Sequence, residues 1–206
     1  TTLAVLVNLA TSLPSQERLE EAEACYREGL EGHLRVLGSG HSRTLLVMDL
    51  LAALLRSQDR LDEAEELGRQ ALEARRRTLG DSHAETLTSL QNLGAVLWAQ
   101  NRLEEAEPLL REALDARRRV LGETHRDTLA SLDGLGGLLW TMNRFAEAEP
   151  LYRETLESRR RVLGEAHKDT IRSIRLLADL YAAWHWAEPD QGHDARAAEF
   201  RAMLPP

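Results

Sequence analysis

Between Leu87 and Leu114 apolar residues return every three or four positions, in two runs. Leu87, Leu90, Leu93, Val96 and Leu97 form the first run, and Leu103, Ala106, Leu110, Ala113 and Leu114 the second. That spacing predicts two amphipathic helices. Asn101 stands between them, with Asp59 and Asn143 in the same place elsewhere in the chain. Asn and Asp tolerate the left-handed conformation that commonly ends a helix, so a tight turn is predicted at each. Glu17, in the corresponding place near the start, is a weaker turn signal.

The two-helix pattern repeats. Leu-Gly-x-x-His recurs with its histidine at His41, His83, His125 and His167, 42 residues apart each time, and Thr44, Thr86, Thr128 and Thr170 follow three residues later. Thr2 falls on the same lattice. A fixed period in this range is the signature of a solenoid, whose units stack on their neighbours and are not stable alone. The predicted fold is therefore all-α, a single array over 1–206 of five antiparallel helix pairs, with repeats at about 1–42, 43–84, 85–126, 127–168 and 169–206. The last is irregular, with an insertion near 185–194, and its second helix is expected to resume around Ala197.

Close approach within each pair is assigned to small residues. Ala10, Ala52, Gly94, Gly136 and Ala178 share one lattice position in the first helices, and Ala22, Ala64, Ala106 and Ala148 another in the second. Small side chains there let helix axes approach at the short end of the usual range. Leu9, Leu51, Leu93, Leu135 and Leu177 fill the seam. Gly38, Gly80, Gly122 and Gly164 end the second helices.

Composition adds limits. The chain has 206 residues, 29% of them charged, and a formal net charge of −8. An acidic balance argues against general binding to nucleic acid or anionic membrane, which needs a basic face. No apolar run is long enough for a membrane span. Cys25 is the only cysteine, so no internal disulfide forms, and a reducing, cytoplasmic location is expected. Thr at position 1 leads to the expectation that the chain is a fragment of a longer protein.

No catalytic constellation emerges: there is no phosphate loop, no nucleophile elbow and no paired cysteines, so neither enzymatic activity nor a cofactor is expected. The linker histidines sit too far apart to share a metal and are assigned structural roles. His185 and His193 with Asp190 and Asp194 lack zinc-type spacing, so no metal site is expected there either. The triplets Arg75 to Arg77, Arg117 to Arg119 and Arg159 to Arg161 fall in last helical turns, where cations complement the macrodipole. Cys25 is expected to be a small packing residue.

The first-helix Leu-Gly/Ala, the Glu-Ala-Glu of the second helix and the linker Leu-Gly-x-x-His-x-x-Thr-Leu together resemble the tetratricopeptide repeat, in its 42-residue kinesin-light-chain-like form. The resemblance covers roughly residues 2 to 184. It departs from the family pattern after the linker histidine, where Ser42, Ala84, Arg126 and Lys168 replace the usual Pro. It implies a right-handed superhelical solenoid whose first helices line a concave groove for a protein or peptide segment. Groove positions carried over are Asn8, Asp49, Arg56, Gln91, Asn92, Trp98, Asp133, Trp140, Arg172, Arg175 and Asp179. Asn8 and Asn92 match the groove asparagine that both donates to and accepts from a peptide backbone. Leu50, Gly134 and Leu176 interrupt that series.

Arg172 and Arg175, one turn apart, read either as a receptor for a carboxylate or as an ordinary solvated face. Trp98 and Trp140 read either as ligand anchors or as packing between repeats. The expected function is a non-catalytic scaffold for a protein or peptide, acidic if the arginines are used. Two alternatives stand beside it: a sensor or regulatory segment of a larger ATPase or protease, and a module that self-associates into homo-oligomers through exposed repeat ends.

Overall fold

The computed structural model describes residues 16–189 and 191–205. Among these, nine α-helices and no strands occur. They are α1 (Gln16–Leu37), α2 (Ser42–Ser57), α3 (Leu61–Leu79), α4 (Ala84–Ala99), α5 (Leu103–Leu121), α6 (Arg126–Thr141), α7 (Phe145–Leu163), α8 (Lys168–Ala187) and α9 (His193–Ala202). The fold is all-α, as the 3.6-residue periodicity predicts. Asn8, the lattice positions Thr2, Leu9 and Ala10, and Asp190 lie outside the described residues.

Internal contacts divide the chain into one unit ending at Arg102 and another beginning at Leu103. In the first, α1 packs on α2, α2 on α3 and α3 on α4. Its core gathers Ala22, Tyr26, Val47, Leu51, Leu55 and Ala64, with Leu45, Met48, Ala71 and Ala74 as a second cluster. In the second unit, α5 packs on α6, α6 on α7, α7 on α8, and α8 on α9. Buried there are Leu132, Leu135, Leu138, Ala148, Tyr152, Leu177 and Ala178. The small residues do what their size predicts: a Cβ added to Gly136 would stand 2.9 Å from Cε1 of Tyr152, so α6 and α7 need glycine at that contact.

The turns follow the residues that encode them. Asp59, Asn101 and Asn143 have φ of 62°, 60° and 57°, the left-handed conformation their side chains tolerate. Gly38, Gly80, Gly122 and Gly164 have φ between 85° and 88°, which only glycine adopts without strain.

Each linker is also a cap. His41, His83, His125 and His167 sit in extended backbone at the start of α2, α4, α6 and α8. Their Nδ1 atoms accept from the backbone N–H two residues on, at 3.2, 3.3, 3.2 and 3.2 Å. Thr44, Thr86, Thr128 and Thr170, all fully buried, donate from Oγ1 at 2.8 Å to the carbonyl of the linker glycine six residues back. Histidine thus replaces the usual Ser or Asp at the N-cap. The threonine ties down a carbonyl left free at the preceding helix end.

One expectation is corrected. Cys25 is exposed on α1 and is not a packing residue, because its side of that helix faces solvent. The last repeat is irregular in its first helix as well as in the connection that follows. α8 runs 20 residues where α2, α4 and α6 run 16, and α9 begins at His193, placing Ala197 in the core. The extra turn is held by aromatic packing: the Trp184 ring lies 4.1 Å from that of His193 and 6.0 Å from that of Phe145. Tyr181, on the same helix, stacks on Phe200 at 5.8 Å.

Candidate functional site

The outward faces of the first helices are fixed from behind by arginines of the second helices. Arg75 of α3, 3% exposed, donates through Nη1 to Ser89 Oγ of α4 at 2.6 Å, and its Nη2 stands 2.6 Å from Asp49 Oδ2 of α2. One guanidinium therefore joins two successive first helices. Arg159 of α7 repeats the arrangement, with Nη2 at 2.8 Å from Asp133 Oδ2 of α6 and Nη1 at 2.7 Å from Ser173 Oγ of α8. Arg117 of α5 is also buried and reaches Ser131 Oγ at 2.7 Å, and burial pushes its pKa down.

Only the first arginine of each triplet turns inward. Arg76 and Arg77, Arg118 and Arg119, and Arg160 and Arg161 stay in the last turns, as the macrodipole reading expects. The inward role went unread in the sequence, although a signal was present. Ser89, Ser131 and Ser173 follow Arg75, Arg117 and Arg159 at a fixed distance of 14 residues.

These pairings sort the expected groove residues. In the first unit, Asp49 is half-buried and both of its oxygens are held by Arg75. Burial pushes its carboxyl up, against the lowering effect of Arg75. Arg56 and Asn92 are exposed, and Gln91 and Trp98 are half-buried. Between α2 and α4 a cavity of about 400 Å³ opens, lined by Arg43, Leu46, Asp49, Arg75, Glu85 and Thr88. Its charges balance, Arg43 and Arg75 against Asp49 and Glu85, and Arg75 reaches both acids.

In the second unit, Asp133 is tied to Arg159 and Trp140 is half-buried on α6. Arg172, Arg175 and Asp179 project from α8 as exposed side chains. Of the three acids placed in the groove, only Asp179 lacks an arginine partner among the described residues. The basic groups of the face are correspondingly less offset than the sequence suggests.

At the starts and on the faces of the second helices many arginines are paired, although Arg35, Arg119 and Arg161 near their ends have no ion pair among the described residues. Arg60 pairs with Glu23 and Glu63, Arg102 with Glu65, Arg144 with Glu107 and Glu147, and Arg153 with Glu149. By contrast, Arg43 and Arg56 of α2, and Lys168, Arg172 and Arg175 of α8, have no ion pair among the described residues. Free cations are thus found on the first-helix faces of both units. Among the described residues no group of three or more His, Cys, Asp or Glu is placed to hold a metal, and no helix is long and apolar enough to cross a membrane.

A family profile described as tetratricopeptide repeat matches residues 1–77, 44–119 and 92–161. The crystal structure of a variant of a Podosopora anserina protein, described as 'putative kinesin light chain nearly identical TPR-like repeats', superposes with TM-score 0.82 at 23% identity. It covers 98% of this chain and 93% of that one. BtubC (BKLC) from P. vanneervenii superposes with TM-score 0.72 at 23% identity, over 89% of this chain and 73% of that one. YrrB, described as a TPR protein with an unusual peptide-binding site, superposes with TM-score 0.52 at 16% identity, over 96% and 90%. No curated protein matches the chain.

Proposed function

The chain belongs to the tetratricopeptide repeat family, and from that premise we propose that it is a cytoplasmic, non-catalytic scaffold whose first-helix faces bind an extended acidic segment of a partner protein. Repeats of this family are generally protein-interaction scaffolds, and YrrB is described by its peptide-binding site. The observation that carries the acidic preference is the unpaired state of Arg172 and Arg175 on α8. Arg60, Arg102, Arg144 and Arg153, by contrast, are matched to glutamates. A free guanidinium offers a carboxylate a bidentate, charge-assisted contact without first breaking an internal pair. The staples formed by Arg75 and Arg159 hold the faces in place before binding, which limits the ordering cost of association.

The test is binding to an array of extended peptides of graded charge. The protein is compared with a variant carrying Asn92→Ala, Arg172→Glu and Arg175→Glu, its fold checked by circular dichroism. Acidic peptides captured by the parent and lost by the variant support the reading. Capture that survives in the variant, or capture without regard to charge, overturns it.

A further inference from the structure

The added turn of α8 lengthens its exposed face. Lys168, Arg172, Arg175, Asp179, Ala182 and Trp186 fall at intervals of three or four, so they form one stripe along the helix. In the preceding first helices the stripe carries Trp98 and Trp140, both half-buried, at the place where α8 has Ala182. In α8 the tryptophan stands one turn further on, and it is 85% exposed.

That exposure is not the fraying of a helix end. Trp184, two residues earlier, points inward and is stacked against His193 and Phe145, and the Glu188 N–H bonds the Trp184 carbonyl at 2.8 Å. With Trp184 fixed inside, a residue two positions later is turned by about 200° and must face solvent. Trp186 is thus a large apolar ring held outward on a rigid element, with the ring of His185 edge-on to it at 6.4 Å between centroids. Indole rings in such positions are costly to leave in water and are the usual anchors of interfaces.

The same stripe sets a ruler. At 1.5 Å per residue, Trp186 lies about 16 Å along α8 from Arg175 and about 21 Å from Arg172. An extended peptide advances about 3.3 Å per residue, so it covers these spans in about five and about six residues. We propose that α8 reads an extended partner segment carrying an acidic side chain and an aromatic side chain about five residues apart. The carboxylate is held by Arg175 or Arg172, and the aromatic ring is stacked on Trp186. Charge complementarity selects the acid, and the exposed indole selects the ring. This rests on the acidic-segment reading above and adds the ligand's second feature and its spacing.

The experiment uses four synthetic peptides with serine and glycine spacers. One carries a Glu pair and a Phe five residues apart, one has the spacing shortened to two, one has it lengthened to nine, and one has Phe replaced by Ala. Affinity is measured by calorimetry, and indole emission is followed in parallel, against the parent protein, Trp186→Ala and the pair Arg172→Glu with Arg175→Glu. The expected result is that the five-residue Phe peptide binds the parent about tenfold tighter than the other three. Trp186→Ala erases that advantage while leaving the Ala peptide unchanged, and the arginine pair weakens all four. If Trp186→Ala leaves the advantage intact, or if spacing makes no difference while acidic peptides still bind through the arginines, the ruler is overturned and the acidic-segment reading stands. If no acidic peptide binds the parent, both fall together.

Discussion

Arg159 and Asp133 form an ion pair of 2.8 Å in which both side chains are only 9% exposed. Breaking a pair this buried strands a charge, whereas removing both members does not. Arg159→Met is therefore expected to lower unfolding stability by about 3 to 5 kcal/mol. Ser173, its other partner, keeps the bond it donates to the Asp169 carbonyl at 3.2 Å. Adding Asp133→Leu to Arg159→Met should recover most of the loss. Urea midpoints for the parent, both single variants and the double variant check this, and strictly additive losses would show that the two side chains act independently.

What was legible in the sequence was whatever the backbone dictates locally. Asn101 and Gly122 announce positive φ because few other residues tolerate it, and both positions have it. Leu90 and Leu93 announce a buried face by their spacing, and both are buried. The direction of Arg159 was not legible from its neighbours. Three consecutive arginines point about 100° apart around a helix, and a triplet does not say which one turns inward. Only the serine 14 residues later distinguishes it. The extra turn of α8 was hidden for a related reason. Trp184 is held by His193 and Phe145, residues nine ahead and 39 behind in the chain, so periodicity within α8 carries no trace of the contact.

The glutamates of the second helices make the protein acid-sensitive. Hydrogen bonds from Arg60 hold the Glu23 carboxyl below its usual range, helped by Arg27. Burial pushes Glu107 and Glu149 up, but their partners, Arg144 with Arg111 and Tyr181 with Arg153, outweigh it and leave both depressed. A carboxyl depressed in the folded state stabilises it above the unfolded value of about 4.3 and loses that contribution as pH falls through the folded value. Asp49, pushed up by burial, works in the opposite sense. With more carboxyls depressed than raised, stability is expected to be level above about pH 5 and to decline below about pH 4. A series of urea midpoints from pH 7 to pH 3 checks this, and a midpoint that rises on acidification would contradict it.

The linker caps make a separate prediction. His125 Nδ1 accepts the Asp127 N–H at 3.2 Å, and Thr128 Oγ1 donates to the Gly122 carbonyl at 2.8 Å. His125→Ala leaves the first turn of α6 without its side-chain acceptor and should cost about 1 kcal/mol, whereas His125→Asn keeps an acceptor and should cost little. Thr128→Val removes the hydrogen bond to the part-buried Gly122 carbonyl and is expected to cost about 1 kcal/mol. Amide exchange at Asp127 distinguishes the cap from general destabilisation: it should accelerate in His125→Ala and stay slow in His125→Asn.

Glycine at position 136 is a packing requirement and not a flexibility device. Alanine has the higher helix propensity by about 1 kcal/mol, so in open space Gly→Ala stabilises a helix. Gly29 of α1 has nothing within 4 Å of an added Cβ, and Gly29→Ala is expected to raise the unfolding midpoint. At Gly136 the same change drives a methyl to 2.9 Å from the Tyr152 ring, itself buried among α6 and α7 and unable to swing away. Overpacking of that kind costs about 1 to 3 kcal/mol, enough to reverse the propensity gain. Gly136→Ala should therefore destabilise where Gly29→Ala stabilises. Tyr152→Leu, the residue found at the matching position Leu110, removes the ring and should let Gly136→Ala regain its helix advantage. A double-mutant cycle measures the coupling between 136 and 152 directly. If Gly136→Ala is as stabilising as Gly29→Ala in the parent background, the close approach of α6 and α7 at this contact does not limit the size of the residue.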